Sequence, residues 1–109
     1  VIFPGFSWQN LKRAKGEDAK LEHIPRLGGQ FLWKQATGQI ANGVKMIYVA
    51  MFDEIDEGTA IFKCSNNPPI GASAFLTYKN LPSDYYLWLT GKVKGLLKGK
   101  TSLKMPKRK

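Results

Sequence analysis

Seven consecutive apolar residues occupy the middle of the chain: Met46-Ile47-Tyr48-Val49-Ala50-Met51-Phe52. The run shows no alternation of apolar and polar positions, which is typical of a strand covered on both faces, as in a parallel sheet. Four acidic residues follow it within five positions. We therefore predict a buried strand over 46–52 that brings a cluster of carboxylates to one edge of a sheet.

The segments before this run complete a strand-helix-strand unit. Residues 1–3 are β-branched and aromatic, and Pro4-Gly5 ends them, as expected for a buried strand before a turn. The spacing of apolar residues predicts a helix over 30–42, with Asn42-Gly43 as its C-terminal stop. Parallel strands in one sheet require such a crossover connection.

The segments after the run add a long loop over 53–81 and a second helix over 82–97. Leu81-Pro82-Ser83-Asp84 provides a start for this helix. Its apolar residues are spaced for one helix face: Tyr85, Tyr86, Leu89, Val93, Leu96 and Leu97. The predicted fold class is α/β, in the order βαβα.

Composition limits the chain to one domain or part of one. It has 109 residues, 43% of them hydrophobic, and a formal charge of +9. A chain of this length buries only about two thirds of the surface that its unfolded form exposes. Three tryptophans, four tyrosines and six phenylalanines exclude a disordered composition, and no apolar run approaches the roughly 18 residues of a membrane span. Because the chain opens on Val1 without a methionine, we expect an internal or C-terminal fragment of a longer protein.

Basic residues concentrate at the C-terminal end. Eight of them lie from Lys92 onward, and apolar residues become scarce after Gly99. We predict a domain over 1–98 and a basic, disordered tail over 99–109. Such a tail could contact phosphate groups, but no nucleic-acid-binding motif accompanies it. We therefore expect no nucleic-acid partner.

The acidic cluster after the central run consists of Asp53, Glu54, Asp56 and Glu57. Catalytic groups in open α/β sheets and β/α barrels collect beyond the carboxyl ends of strands. Glu54 and Glu57 would lie on one side of a helical turn and could act on one bound group as base and acid. Two alternatives stay open: a solvated turn or first helical turn, and a calcium or magnesium site, although the EF-hand spacing is absent.

Three ordered motifs carry a family resemblance. They are Phe3-Pro4-Gly5-Phe6-Ser7-Trp8, then Ile24-Pro25-Arg26-x-Gly28-Gly29-x-Phe31-Leu32-Trp33, then Ala50-Met51-Phe52-Asp53-Glu54-Ile55-Asp56-Glu57-Gly58-Thr59. The third resembles the Asn-Glu-Trp-x-Glu-Gly-Thr segment of the glycoside hydrolase family 99 endo-α-mannosidases. Up to about residue 91, the chain resembles bacterial proteins of the glycoside hydrolase family 71/99-like group, some of them labelled xylosidase/arabinosidase.

The resemblance implies a hydrolase that cleaves O-glycosidic bonds in an oligo- or polysaccharide without a metal or organic cofactor, in the periplasm or outside a bacterial cell. The implied fold is a (β/α)8 TIM barrel, of which this chain would be the C-terminal βαβα portion. In the family mechanism, Glu54 would act as base toward the sugar 2-hydroxyl. Glu57 would act as acid on the leaving oxygen and then as base on water. A non-catalytic truncated remnant or a carbohydrate-binding module is the alternative.

Five further residues are candidates for substrate binding: Phe6, Trp8, Arg26, Asp53 and Asp56. The rings of Phe6 and Trp8 would lie at the same rim as the acids and could stack on a pyranose, or could pack in the core or a loop. Arg26 could hydrogen-bond sugar hydroxyls, pair with the acidic cluster, or lie at the surface. Asp53 and Asp56 could orient the two glutamates or bind hydroxyls.

Overall fold

A computed structural model describes residues 1–71, 74–99 and 102–109. Within these residues the chain forms three α-helices joined by long loops: α1 over Gln9–Ala14, α2 over Gln30–Ala41 and α3 over Tyr85–Leu97. A 3-10 helix over Leu27–Gly29 leads directly into α2. Helices α2 and α3 pack against each other and supply most of the buried apolar core.

Both predicted helices are present. Helix α2 ends at Ala41, and Gly43 follows with a φ of +82°, so the Asn42-Gly43 pair stops the helix as its sequence predicts. Helix α3 begins three residues later than predicted, because the chain first forms a turn in which the Tyr85 amide donates to the Pro82 carbonyl.

Gly29 allows α2 and α3 to approach closely. Its φ of +91° lies in the left-handed region that favours glycine. A Cβ atom at this position would lie 2.6 Å from Leu89 Cδ2 and 3.1 Å from Tyr85 Cε1. A side chain at position 29 would therefore push the start of α2 away from α3.

The predicted α/β class is wrong for the part of the chain that the structure describes. No strand forms there, so these residues are not a βαβα portion of a TIM barrel. The two predicted strands meet only at one parallel bridge, between Ile2 and Val49. At this bridge the Ile2 amide donates to the Tyr48 carbonyl and the Ala50 amide to the Ile2 carbonyl, both over 2.9 Å.

The reason lies in the burial of the central run. Ile47 and Val49 pack against the core, whereas Met46 and Tyr48 are 86% and 58% exposed. An unbroken apolar run indicates a parallel strand only when two layers cover it, and here the described residues cover one side. Beyond the bridge, the Met51 amide donates to the carbonyl of Thr59, so the chain folds back on itself.

Residues 102–109 lie against the helices. The Trp33 indole in α2 donates to the Leu103 carbonyl over 2.8 Å, and Met105 packs against the core. Arg108 forms a bidentate ion pair with Asp84, at the start of α3, with distances of 2.6 and 3.0 Å. The predicted tail and the predicted loop also include residues 100–101 and 72–73, which lie outside the described residues.

The helices of the described chain are also too short or too polar to cross a lipid bilayer.

Candidate functional site

The acidic residues lie on a compact turn, residues 53–60, which we call the acid turn. The Glu54 carbonyl accepts hydrogen bonds from the amides of Thr59 and Ala60, over 3.1 and 3.0 Å. The Gly58 amide donates to the Ile55 carbonyl over 3.0 Å. These bonds close the backbone of the turn. Asp53, Glu54 and Asp56 are exposed, and Glu57 is half-buried.

Gly58 is required by the shape of the acid turn. Its φ of +64° lies in the left-handed region. A Cβ atom would lie 3.0 Å from Leu76 Cδ2 and 3.3 Å from Ser7 Cβ. The glycine therefore both reverses the chain and lets the turn sit against residue 7.

Backbone bonds join the acid turn to the first motif of the sequence. The amide of buried Ser7 donates to the Glu57 carbonyl over 2.7 Å. On the other side, Phe6 and Ile24 form an antiparallel bridge with two bonds of 2.9 Å. Residues 6–8, the segment around Ile24 and the acid turn therefore meet at one place.

The three segments enclose an open cleft of about 420 Å³. The rings of Phe6 and Trp8 meet edge to face on its wall, with centroids 4.7 Å apart and planes at 71°. Its lining residues are Phe3, Phe6, Trp8, His23, Ile24, Ala50, Met51, Glu57 and Thr59. An acidic residue and two aromatic residues thus line the same cleft, a combination that suits a ligand with apolar faces and hydroxyl groups.

The predicted site residues divide into two groups. Phe6, Trp8 and Glu57 come together in the cleft. Glu54, Asp53 and Asp56 lie on the same turn, with exposed side chains, but do not line the cleft. Glu54 stands three residues before Glu57 on the same closed turn.

Arg26 has a different position from the other candidates. It is 5% exposed, and its Nη2 donates to the carbonyls of Gly58 and Ala60 over 2.9 and 2.6 Å. The guanidinium packs against a pair of rings, with Cζ 4.4 Å from the centroid of Tyr86 and 5.0 Å from that of Tyr78, and the two rings meet edge to face with centroids 4.7 Å apart. The sequence left open whether Arg26 binds sugar, pairs with the acidic cluster or lies at the surface. In the structure it pairs with the acid turn, through the backbone carbonyls of the turn and not through its carboxylates.

The electrostatics around Arg26 reflect this burial. Desolvation lowers the pKa of the Arg26 guanidinium, and the neighbouring Tyr86 and Tyr78 oppose the shift. Desolvation, together with the neighbouring Cys64, raises the pKa of Tyr78. Arginine stays protonated in proteins, so a positive charge is held beneath the acid turn and beside two neutral phenols.

Three residues near the site were missed by sequence reasoning. His23 lines the cleft because the Phe6–Ile24 bridge brings it there. The rings of Tyr78 and Tyr86 pack against the Arg26 guanidinium. No local pattern marks these contacts, since each joins segments far apart in the chain. The one sequence signal for these contacts was the position of Arg26 in a motif rich in apolar residues, which indicates that its side chain could be buried.

Within residues 1–71, 74–99 and 102–109, no three side chains among His, Cys, Asp and Glu are arranged to hold a metal ion. Comparison of the chain with protein-family models, curated proteins and solved structures finds no match. A functional assignment therefore rests on the motifs and on the geometry of the cleft.

Proposed function

We propose that this chain supplies the sugar-binding cleft and the acid/base carboxylates of a glycoside hydrolase that cleaves O-glycosidic bonds in an oligo- or polysaccharide. One observation carries the proposal: Glu57 lines the same open cleft as the Phe6–Trp8 ring pair. Aromatic walls with a few polar groups are typical of small-ligand sites. The motifs shared with the family 71/99-like proteins support the same chemistry.

Glu57 is the general acid in this proposal. Its side chain is half-buried, and its backbone is fixed by the bond from Ser7. A pyranose stacked on Phe6 or Trp8 would present its glycosidic oxygen to this carboxyl group. Protonation of the leaving oxygen there assists cleavage of the bond.

Glu54 is the base toward the sugar 2-hydroxyl. Its carbonyl is held by the Thr59 and Ala60 amides and by the Thr59 hydroxyl, while its side chain is exposed. The backbone is therefore fixed and the carboxylate is free to turn, and the proposal requires it to reach the 2-hydroxyl of a sugar bound beside Glu57. Removal of the 2-hydroxyl proton lets that oxygen displace the leaving group, and Glu57 then activates water.

The test uses the natural protein, assayed on α-linked oligosaccharides and on aryl glycosides with acidic leaving groups. Glu57→Gln should slow oligosaccharide hydrolysis at least about a hundredfold, since the general acid is lost. It should affect activated aryl glycosides much less, because a good leaving group needs no proton. Glu54→Gln should abolish hydrolysis of both, because its step is needed for either substrate.

Glu17→Gln is the matched control, since Glu17 is exposed and lies outside the cleft. It should leave both rates unchanged. Unchanged turnover in Glu57→Gln refutes the assignment of the acid. Retained activity of Glu54→Gln on activated substrates reverses the two roles.

A second candidate is a carbohydrate-binding protein without hydrolytic activity. The exposed position of Glu54, outside the cleft lining, favours it. It predicts oligosaccharide binding that is weakened on replacement of Trp8, together with no release of reducing sugar over prolonged incubation. Titration calorimetry and a reducing-end assay on the same sample separate the two candidates.

A further inference from the structure

We propose that Arg26 is a positioning residue: its buried guanidinium fixes the backbone of the acid turn and thereby sets the point from which Glu57 enters the cleft. The inference rests on the proposed function of Glu57. It assigns Arg26 an action through another residue in place of the direct contact with sugar that its sequence motif suggests.

Arg26 binds the backbone of the acid turn from outside the cleft that Glu57 lines. Its Nη2 donates to the carbonyls of Gly58 and Ala60, and these residues alternate with the cleft-lining Glu57 and Thr59. Moving either carbonyl would move both cleft residues. Because Arg26 itself is 5% exposed and does not line the cleft, a sugar bound there touches Glu57 and not Arg26.

The surroundings of Arg26 favour a guanidinium over an ammonium. Its Cζ lies within 5.0 Å of the centroids of both Tyr78 and Tyr86, and a planar guanidinium packs on aromatic rings better than a compact, strongly hydrated ammonium. Its Nε and Nη1 have no hydrogen-bond partner among the described residues, so the contact with the acid turn runs through Nη2. The Tyr78 hydroxyl lies 2.7 Å from the Phe62 carbonyl and 3.1 Å from the Ala60 carbonyl, and its one proton can be donated to either. Tyr78 therefore supports the end of the acid turn beside Arg26.

The first motif provides the space for this side chain. A Cβ atom on Gly5 would lie 2.7 Å from Arg26 Cγ and 2.8 Å from the Ile24 carbonyl oxygen. The glycine thus lets the Arg26 stem pass under residues 5–7. All three sequence motifs take part in one arrangement: Gly5 makes room, Arg26 donates, and the acid turn accepts.

The experiment compares Arg26→Lys with Arg108→Lys in the complete protein. Arg108 is the matched control, since it also forms two hydrogen bonds but lies outside the cleft. Arg26→Lys should lower kcat on unactivated oligosaccharides at least about tenfold, because misplacing a catalytic group by about 1 Å can cost a hundredfold. KM should change by less than about twofold, because the cleft walls keep their contacts with the sugar. Rates on activated aryl glycosides should fall much less, because a good leaving group does not need protonation by the misplaced Glu57.

Hydrogen exchange separates this effect from general unfolding. In Arg26→Lys, the amides of Thr59 and Ala60 should exchange at least about tenfold faster, while amides in α3 should keep their protection. Tyr78→Phe keeps the ring under Arg26 and removes the hydroxyl near Ala60. It should give the same pattern with smaller changes, and it remains informative if Arg26→Lys does not fold.

Each other outcome overturns the inference. A raised KM with kcat unchanged would make Arg26 a substrate-binding residue. Equal losses on both substrate classes, or faster exchange throughout α3, would make its role structural only. If the natural protein hydrolyses no glycoside, the proposed function fails, while the exchange of Thr59 and Ala60 still decides whether Arg26 fixes the turn.

Discussion

The amide of Ser7 donates a 2.7 Å hydrogen bond to the carbonyl of Glu57. This bond joins the aromatic segment of the chain to its acidic segment. Ser7 is 2% exposed, so water does not compete for the bond. The backbone of residues 6–8 is therefore held at a fixed distance from the backbone of Glu57, whose side chain and the rings of Phe6 and Trp8 start from these fixed points.

The shape of the acid turn can be tested at Gly58. Gly58→Ala forces an alanine into the left-handed region, at a cost of about 1–2 kcal/mol, and brings its Cβ into close contact with Leu76 and Ser7. The free energy of unfolding, measured by denaturant titration, should fall by at least this amount. Gly38→Ala, inside α2 with open space around it, should raise the free energy of unfolding by about 0.5–1 kcal/mol. Equal effects at the two positions would contradict the described turn.

The aromatic wall of the cleft can be tested at Trp8. Trp8→Ala should weaken sugar binding roughly two- to tenfold, corresponding to about 0.5–1.5 kcal/mol for the lost aromatic contact. Thermal unfolding should change little, because Trp8 is 40% exposed. Leu11→Ala, at a similarly exposed residue of α1 outside the cleft, should leave binding intact. Titration calorimetry with the same oligosaccharide measures both variants, and equal affinities in the two would remove Trp8 from the site.

The ion pair between Asp84 and Arg108 predicts a pH dependence of stability. The hydrogen bond from Arg108 lowers the pKa of the Asp84 carboxyl below its ordinary value of 3.8. A depressed folded-state pKa contributes stability that is present above the unfolded pKa and is lost as pH falls through the folded one. The unfolding temperature of the natural protein should therefore exceed that of Arg108→Ala at pH 7, and the difference should shrink below about pH 4.

Arg13→Ala is the control for this measurement, since Arg13 is an exposed residue of α1. Its unfolding temperature should follow that of the natural protein across the same pH range. If the curves of Arg108→Ala and the natural protein run parallel down to pH 2, the Asp84–Arg108 pair does not contribute to stability.

The two long helices were predictable because their signals are local. The apolar spacing in 30–42 and the Asn42-Gly43 stop lie within a few residues of each other. The strand over 46–52 was not predictable in the same way, since its formation depends on what covers Met46 and Tyr48. Apolar sequence indicates what a segment can bury, and the rest of the fold decides whether it is buried.

The candidate site was partly predictable for a related reason. Phe6, Trp8 and Glu57 were expected near one another at a sheet edge, and they do meet, but through the Ser7 bond and the Phe6–Ile24 bridge. The position of Arg26 could not be foreseen. A charged residue is rarely buried unless specific partners compensate it, and the partners here are two carbonyls and two distant rings.

The bond from the Trp33 indole to the Leu103 carbonyl gives the molecule an internal optical marker. Indole emission is sensitive to the loss of such a bond and to the entry of water. Displacement of residues 102–109 from α2 would therefore change the fluorescence of Trp33 before either helix unfolds. In a chain whose Trp8 and Trp88 are replaced by phenylalanine, the emission of Trp33 would thus report whether residues 102–109 lie against α2.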